Sequence, residues 1–201
     1  MIIWSNQPYQ VYEQLMSNGI FTCDPTKSMN IQTDLKFGGH DFENAYTWMA
    51  HQMGLKVGKP PKGVRFPIWV WYKLDYVHRR PDFRSFRDYD DQVCLELEVS
   101  ESDILLSDFE KWHFVLNDWY LNDAVSEEES YAKDQWFDHL SQTKQQKVKE
   151  NSWQQIFDVT SRIGEWTQNG AFVQGCCWLL KKEYVRHAWR LKRGQRSQQI
   201  F

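Results

Sequence analysis

The sequence predicts an α+β fold, with mixed or antiparallel sheets and flanking helices, and three observations predict it. Residues 92–99 alternate strictly, with Val93, Leu95, Leu97 and Val99 against Glu96 and Glu98, the period of a half-buried strand. Residues 66–72 are aromatic and β-branched, with Ile68, Val70 and Tyr72 opposing Trp69 and Trp71. Both sides are apolar, which predicts a central strand. Helix-period stretches are interspersed irregularly among these strands, without the βαβα cadence of a doubly wound sheet. At 201 residues the default is one domain, 1–201, carrying a polar excursion at about 121–150.

Taken in order, Ile2-Ile3-Trp4 reads as a first or edge strand. Pro8 opens a helix whose Val11, Tyr12, Leu15 and Met16 share one face, and Gly19 stops it. Ile20 to Cys23 form a short return segment. A helix over 41–54 starts at Asp41, presents Phe42, Ala45, Tyr46, Trp48, Met49 and Met53, and ends at Gly54. After the two strands at 66–72 and 92–99, Ser107-x-x-Glu110 is a capping box. It opens a helix with Trp112, Val115, Leu116 and Trp119 inward. Ser152-x-x-Gln155 is a second such box. Residues 171–180 read as the last strand, and Tyr184, Val185, Ala188 and Trp189 as a basic tail helix.

Composition excludes several classes. The formal net charge is -3, unlike a general nucleic-acid binder. Four cysteines are too sparse for a disulfide framework in a chain of this length. Cys176 and Cys177 are adjacent, so in a strand they point to opposite faces. The start of the chain turns polar too soon for a secretory leader, and no apolar run approaches the ~20 residues of a membrane span. The expected location is cytoplasmic, with no membrane partner. Phosphate-loop, dinucleotide, zinc-protease, hydrolase-elbow and kinase signatures are all absent. The scattered histidines, among them His40 and His113, give metal ligation little support.

Four features could carry chemistry, and each has a plain structural alternative. Eleven tryptophans either fill a core or line a pocket for a flat ligand such as a nucleobase or nicotinamide. Arg79, Arg80 and Arg84 follow the central strand, where they could hold phosphate, or Arg80 could pair with Asp82. Asp108 and His113 either complete a helix start or face a cleft. The tail arginines and lysines from Lys181 to Arg196 either touch a nucleic acid or protein partner or form a solvated helix face offset by Glu127 to Glu129.

Read together, several segments resemble a bacterial family described as a domain of unknown function. They are Trp4-x-x-Gln7, Ala45-Tyr46-x-Trp48-Met49, Pro67-Ile68-Trp69-x-Trp71-Tyr72, Arg80-Pro81-Asp82, Leu105 to Asn117, Ser152-Trp153-x-x-Ile156-Phe157-Asp158 and Val173-Gln174. That resemblance implies no activity. The order of elements is also similar to that of ADP-ribosyltransferase-like folds, in which NAD sits in a split between two small sheets. This second resemblance implies NAD as cofactor, clamped by Trp4, Ser5 and Gln7 on the first strand and by Trp69, Trp71 and Tyr72 on the aromatic strand. It places Gln174, with Tyr72, at the catalytic positions, and Arg80 or Arg84 on phosphate. Transferases of that fold typically carry Glu where this chain has Gln174, and Gln can neither act as a base nor stabilise an oxocarbenium ion by charge. The alternative functions are a non-catalytic interaction protein and a nucleic-acid-associated factor.

Overall fold

The computed structural model describes residues 1–82 and 88–201. Its centre is a seven-stranded antiparallel sheet of β1 (Ile2–Pro8), β3 (Ile68–Lys73), β4 (Asp91–Glu98), β5 (Leu105–Asp108), β6 (Val173–Cys177), β8 (Val185–Lys192) and β9 (Gln198–Gln199). The strand order is β5-β6-β3-β1-β4-β8-β9, and β2 (Ile20–Thr22) pairs separately with β7 (Leu179–Lys181). Six α-helices accompany these strands among the described residues: α1 (Tyr9–Asn18), α2 (Met29–Lys36), α3 (Asp41–Lys56), α4 (Phe109–Leu116), α5 (Glu127–Asp138) and α6 (Gln142–Ser152). The fold is α+β, as the sequence predicts. No helix among the described residues is long and apolar enough to cross a membrane.

Residues opposite one another in neighbouring antiparallel strands share a face, so the register sorts the side chains into two layers. On the first face Ile3, Val70, Val93, Leu95, Leu97, Cys177 and Ala188 pack with Leu15 of α1 and Leu180 of β7. On the second face Trp69 and Cys176 pack beneath α3 and α4 with Tyr46, Met49, Met53, Trp112 and Val115. Trp4, Cys94 and Leu191 make a smaller cluster on the second face. Cys176 and Cys177 do lie on opposite faces.

Several sequence expectations need correction. β1 is not an edge: it is the fourth strand of seven. The stretch 171–180 splits, because β7 leaves the large sheet to pair with β2, and Trp178 between them donates its indole N–H to the Gly58 carbonyl at 2.7 Å. The tail is a strand, β8, rather than a helix. Its buried Val185, Ala188 and Leu191 are three apart and imitate a helical stripe. The imitation arises because a register shift at Glu96/Leu97 separates Val185 from Ala188, while Leu191 turns to the other face. The tail cations pair with nearby carboxylates rather than with Glu127 to Glu129: Arg186 with Glu98, Arg190 with Asp91 and Arg193 with Asp90. Asp108, not Ser107, caps α4, and Ser152 both closes α6 and leads into a 3-10 helix, Trp153–Phe157, which its side chain does not cap. Asn117 ends α4 before Trp119, which is 58% exposed. The polar excursion is the α5–α6 hairpin, which buries no side chain.

One glycine fixes the approach to β6. Gly170 has φ of +66, and a Cβ there would meet the Val159 carbonyl oxygen at 2.6 Å. Left-handed backbone strains any L side chain, and here backbone, not a flexible side-chain end, blocks the space. Gly170→Ala is expected to destabilise the fold by about 2–4 kcal/mol, measured by chemical denaturation. A loss under about 0.5 kcal/mol would show that this turn adjusts freely.

Candidate ligand site at the seam of the sheet

The large sheet is held unevenly. β1 registers with β4 at seven consecutive positions, from Ile2↔Glu98 to Pro8↔Gln92. With β3 it registers at one, Trp4↔Trp71. The sheet therefore has a seam, with β5-β6-β3 on one side and β1-β4-β8-β9 on the other. Side chains bridge it. Ser5 Oγ donates to the Trp69 carbonyl at 3.5 Å and accepts from Gln7 Nε2 at 2.9 Å. At the N-terminal end of β1, His78 Nε2–H donates to the Ile2 carbonyl at 2.8 Å. The His78 ring lies 4.8 Å from Trp4 and 4.7 Å from Tyr72.

The register places the sequence-predicted residues on two different faces. Ser107, Gln174, Trp71, Trp4 and Glu96 stand opposite one another in a row across five strands, on the second face. Trp69 and Asn6 belong to the same face, each two residues along its strand. Ser5 and Gln7 fall on the first face by alternation. Tyr72, at the irregularity between Trp71 and Lys73, packs against the first-face core. Trp4, Trp69, Trp71 and Gln174 are thus brought together, while Ser5, Gln7 and Tyr72 lie across the sheet from them.

Around the seam, polar atoms are buried without partners. Asn6 Nδ2 and Oδ1, Trp69 Nε1, Ser107 Oγ and Gln174 Nε2 are all inaccessible and lack a hydrogen bond. Ser107 is fully buried and Gln174 is 6% exposed. Each such group costs about 1–3 kcal/mol, and native structures tolerate few. The four residues lie on one face of adjoining strands, β5, β6, β3 and β1. Trp69 closes the site towards the helices, its ring 4.7 Å from Trp112 and 5.6 Å from Tyr46. Trp71 lies 5.1 Å from Phe109, and Trp4 donates its indole N–H to Glu96 at 3.0 Å.

Arg80 sits with its guanidinium 3.8 Å over the Trp189 ring. Trp189 is opposite Cys94, which is opposite Asn6, so the ring beneath this cation belongs to a strand whose backbone runs about 10 Å from β1. Arg84 lies outside the described residues. Asp108 and His113 have structural work instead. The Asp108 carboxylate accepts from the Lys111 and Gly170 N–H groups at 2.9 and 2.7 Å. His113 Nδ1–H donates to the Phe109 carbonyl at 3.0 Å.

Sequence reasoning missed Asn6 and Ser107. Asn6 was legible only as the residue at the alternation position of Trp4, inside the polar run Ser5-Asn6-Gln7. Ser107 was hidden by its plausible reading as a cap. Chemically the orphans are neutral: an indole N–H, a hydroxyl, an amide N–H₂ and one complete amide. Burial pushes the nearby Cys94 and Cys176 thiols up, away from the thiolate. Among the described residues no cluster of His, Cys, Asp and Glu could hold a metal ion. The arrangement can bind carbonyl, amide and hydroxyl groups; none of the orphans is a base.

Two recesses lie elsewhere. One of about 340 Å³ at the end of β1 is lined by Pro8, Tyr9, Glu13, Asp91 and Arg190. There Arg190 grips Asp91 at 2.8 and 2.6 Å and stacks on Tyr9, and the guanidinium holds the Asp91 carboxyl below its usual range. The other, of about 610 Å³, lies between α5, α6 and the end of α4. Of the sequence-predicted candidates only the tail cation Arg190 lines either of these two recesses.

Fold and seam together define an α+β protein whose antiparallel sheet buries neutral, unpartnered polar groups on one face of β5, β6, β3 and β1. A family model described as "Domain of unknown function (DUF3841)" matches residues 2–186, most of the chain, and the chain belongs to that family. Neither the curated proteins nor the solved structures compared with it yield a match.

Proposed function

We propose that this chain binds NAD or a related nucleotide at the seam between β1 and β3. The observation that carries the reading is the group of orphaned polar atoms on Asn6, Trp69, Ser107 and Gln174 beside the single register pair of β1 and β3. Groups of this kind cost stability when left unmet, and binding sites are where folds retain that kind of cost. Indole faces on Trp4 and Trp71 suit a flat ring. Arg80, stacked over Trp189 two strands from β1, is the cation this reading assigns to a phosphate of the same ligand. The reading is of binding: Gln174 supplies donors and an acceptor, not a charge.

A nucleic-acid role for the tail draws less support. Arg186, Arg190 and Arg193 are already paired with carboxylates, which reduces the positive field a phosphate backbone would meet.

Titration of the full chain with NAD should quench tryptophan fluorescence saturably and release heat in calorimetry. Gln174→Met removes the orphaned amide at similar volume. It is expected to leave folding stability unchanged or raise it by up to about 1 kcal/mol, because a buried unsatisfied group is lost, while weakening NAD binding about tenfold or more. A wild-type protein that responds to no nucleotide would overturn the proposal.

A further inference from the structure

We infer that Asn6 selects the head of the ligand, and that the group it selects is an uncharged primary carboxamide rather than a carboxylate. The inference rests on the nucleotide reading of the seam and adds the chemistry of the group that meets Asn6. Asn6 leaves both of its amide atoms, Nδ2 and Oδ1, buried and unpartnered. The other orphaned residues leave only one atom each. A single partner that completes both must offer an acceptor beside a donor in one plane, which a primary carboxamide does. A carboxylate could accept from Nδ2 but would set its second oxygen against Oδ1, acceptor against acceptor. It would also bring a negative charge into a place where the orphaned neighbours Trp69, Ser107 and Gln174 are all neutral.

The surroundings hold Asn6 to this role. Its neighbour across β4 is Cys94, fully buried and kept as the neutral thiol. Trp69 lies on the same face across the seam, and its N–H is free to donate to a second lone pair of the same carbonyl. Ser5 and Gln7, the neighbours of Asn6 in sequence, are hydrogen-bonded to each other on the opposite face and do not compete for it. In NAD the carboxamide is that of nicotinamide, and its deamidated counterpart, nicotinic acid adenine dinucleotide, differs in this group alone.

Calorimetry on the full chain with NAD, the deamidated dinucleotide and ADP-ribose tests the assignment. NAD is expected to bind about tenfold or more tightly than the deamidated form, the discrimination a site gains when a buried polar pair would otherwise go unmet. ADP-ribose, which lacks the head, should bind more weakly than NAD. In Asn6→Leu, NAD should fall to the affinity of the deamidated form, with the thermal midpoint held or raised. Equal binding of NAD and its deamidated form by the wild type overturns the role of Asn6 and leaves the nucleotide reading standing. ADP-ribose binding as tightly as NAD also overturns it, because the carboxamide then contributes nothing. Failure of all three to bind overturns both.

Discussion

Trp112→Ala is expected to lower folding stability by about 3–5 kcal/mol, the range for emptying a buried aromatic site. Trp112 is 3% exposed on the inner side of α4. Its ring lies 4.7 Å from Trp69 and 6.2 Å from Tyr46. It is therefore the point at which α4, α3 and β3 meet, in the same cluster as Met49, Met53 and Ile156. Removing it opens a cavity that three elements would have to close together, and close-packed interiors relax only partly. For a chain of this length each kcal/mol moves the thermal midpoint by about 2–4 °C, so the expected fall is roughly 6–20 °C. Trp119→Ala is the contrast. That side chain is 58% exposed, and its loss should stay within about 0.5 kcal/mol. If the two variants unfold alike, the separation of buried from exposed indoles described above is wrong. Because Trp112 also backs Trp69, the alanine variant should bind nucleotide weakly even at temperatures where it remains folded.

How far this architecture was legible in the sequence depends on how simply each strand is covered. β4 reads cleanly because its first-face residues Val93, Leu95 and Leu97 lie in one core and its outer Glu96 and Glu98 are more exposed. β3 reads as central because apolar layers press on both of its faces. β8 misreads as a helix because its buried residues serve different faces on either side of a register shift, so neither period two nor a single face survives in the sequence. The α5–α6 hairpin is visible only as polarity, since with no buried side chain there is no apolar stripe to give its period.

The site was half legible for a related reason. Aromatic residues on β1 and β3 announced a shared region, and Trp4, Trp69, Trp71 and Gln174 do share a face. Spacing within Trp4-x-x-Gln7 already argues against a joint role on one side, because three residues along a strand is an odd step and turns the side chain over. Tyr72 is reversed relative to Trp71 for the same reason, with the irregularity at Trp71/Lys73 adding to it. Nothing local indicates that Asn6 and Ser107 go unpartnered, since that depends on strands far apart in the chain. The seam depends on the register between residues about 67 positions apart, a tertiary property that composition and period cannot encode.

Asp108→Ala should cost about 2–4 kcal/mol, and the reason links stability to the proposed site. One carboxylate serves two backbone groups: Oδ1 caps α4 by accepting from the Lys111 N–H at 2.9 Å, and Oδ2 accepts from the Gly170 N–H at 2.7 Å. The group is 2% exposed, so water cannot readily replace it. Loss of the cap accounts for about 0.5–2 kcal/mol, and leaving the Gly170 N–H buried and unmet for about 1–3. Asp108→Asn separates the two contributions. Its remaining oxygen can keep the cap, but its amide N–H₂ meets the Gly170 N–H donor to donor, so only the second loss should appear. Amide exchange at Gly170 should then speed up while exchange at Lys111 stays slow. Comparable acceleration at both positions would show that the helix start and the Gly170 turn do not respond independently. Gly170 enters β6 four residues before Gln174, so a loosened turn should also blur the placement of that amide at the seam. Nucleotide affinity in Asp108→Asn should therefore fall by more than its modest unfolding alone would produce, which makes Asp108 a positioning residue for the site it does not touch.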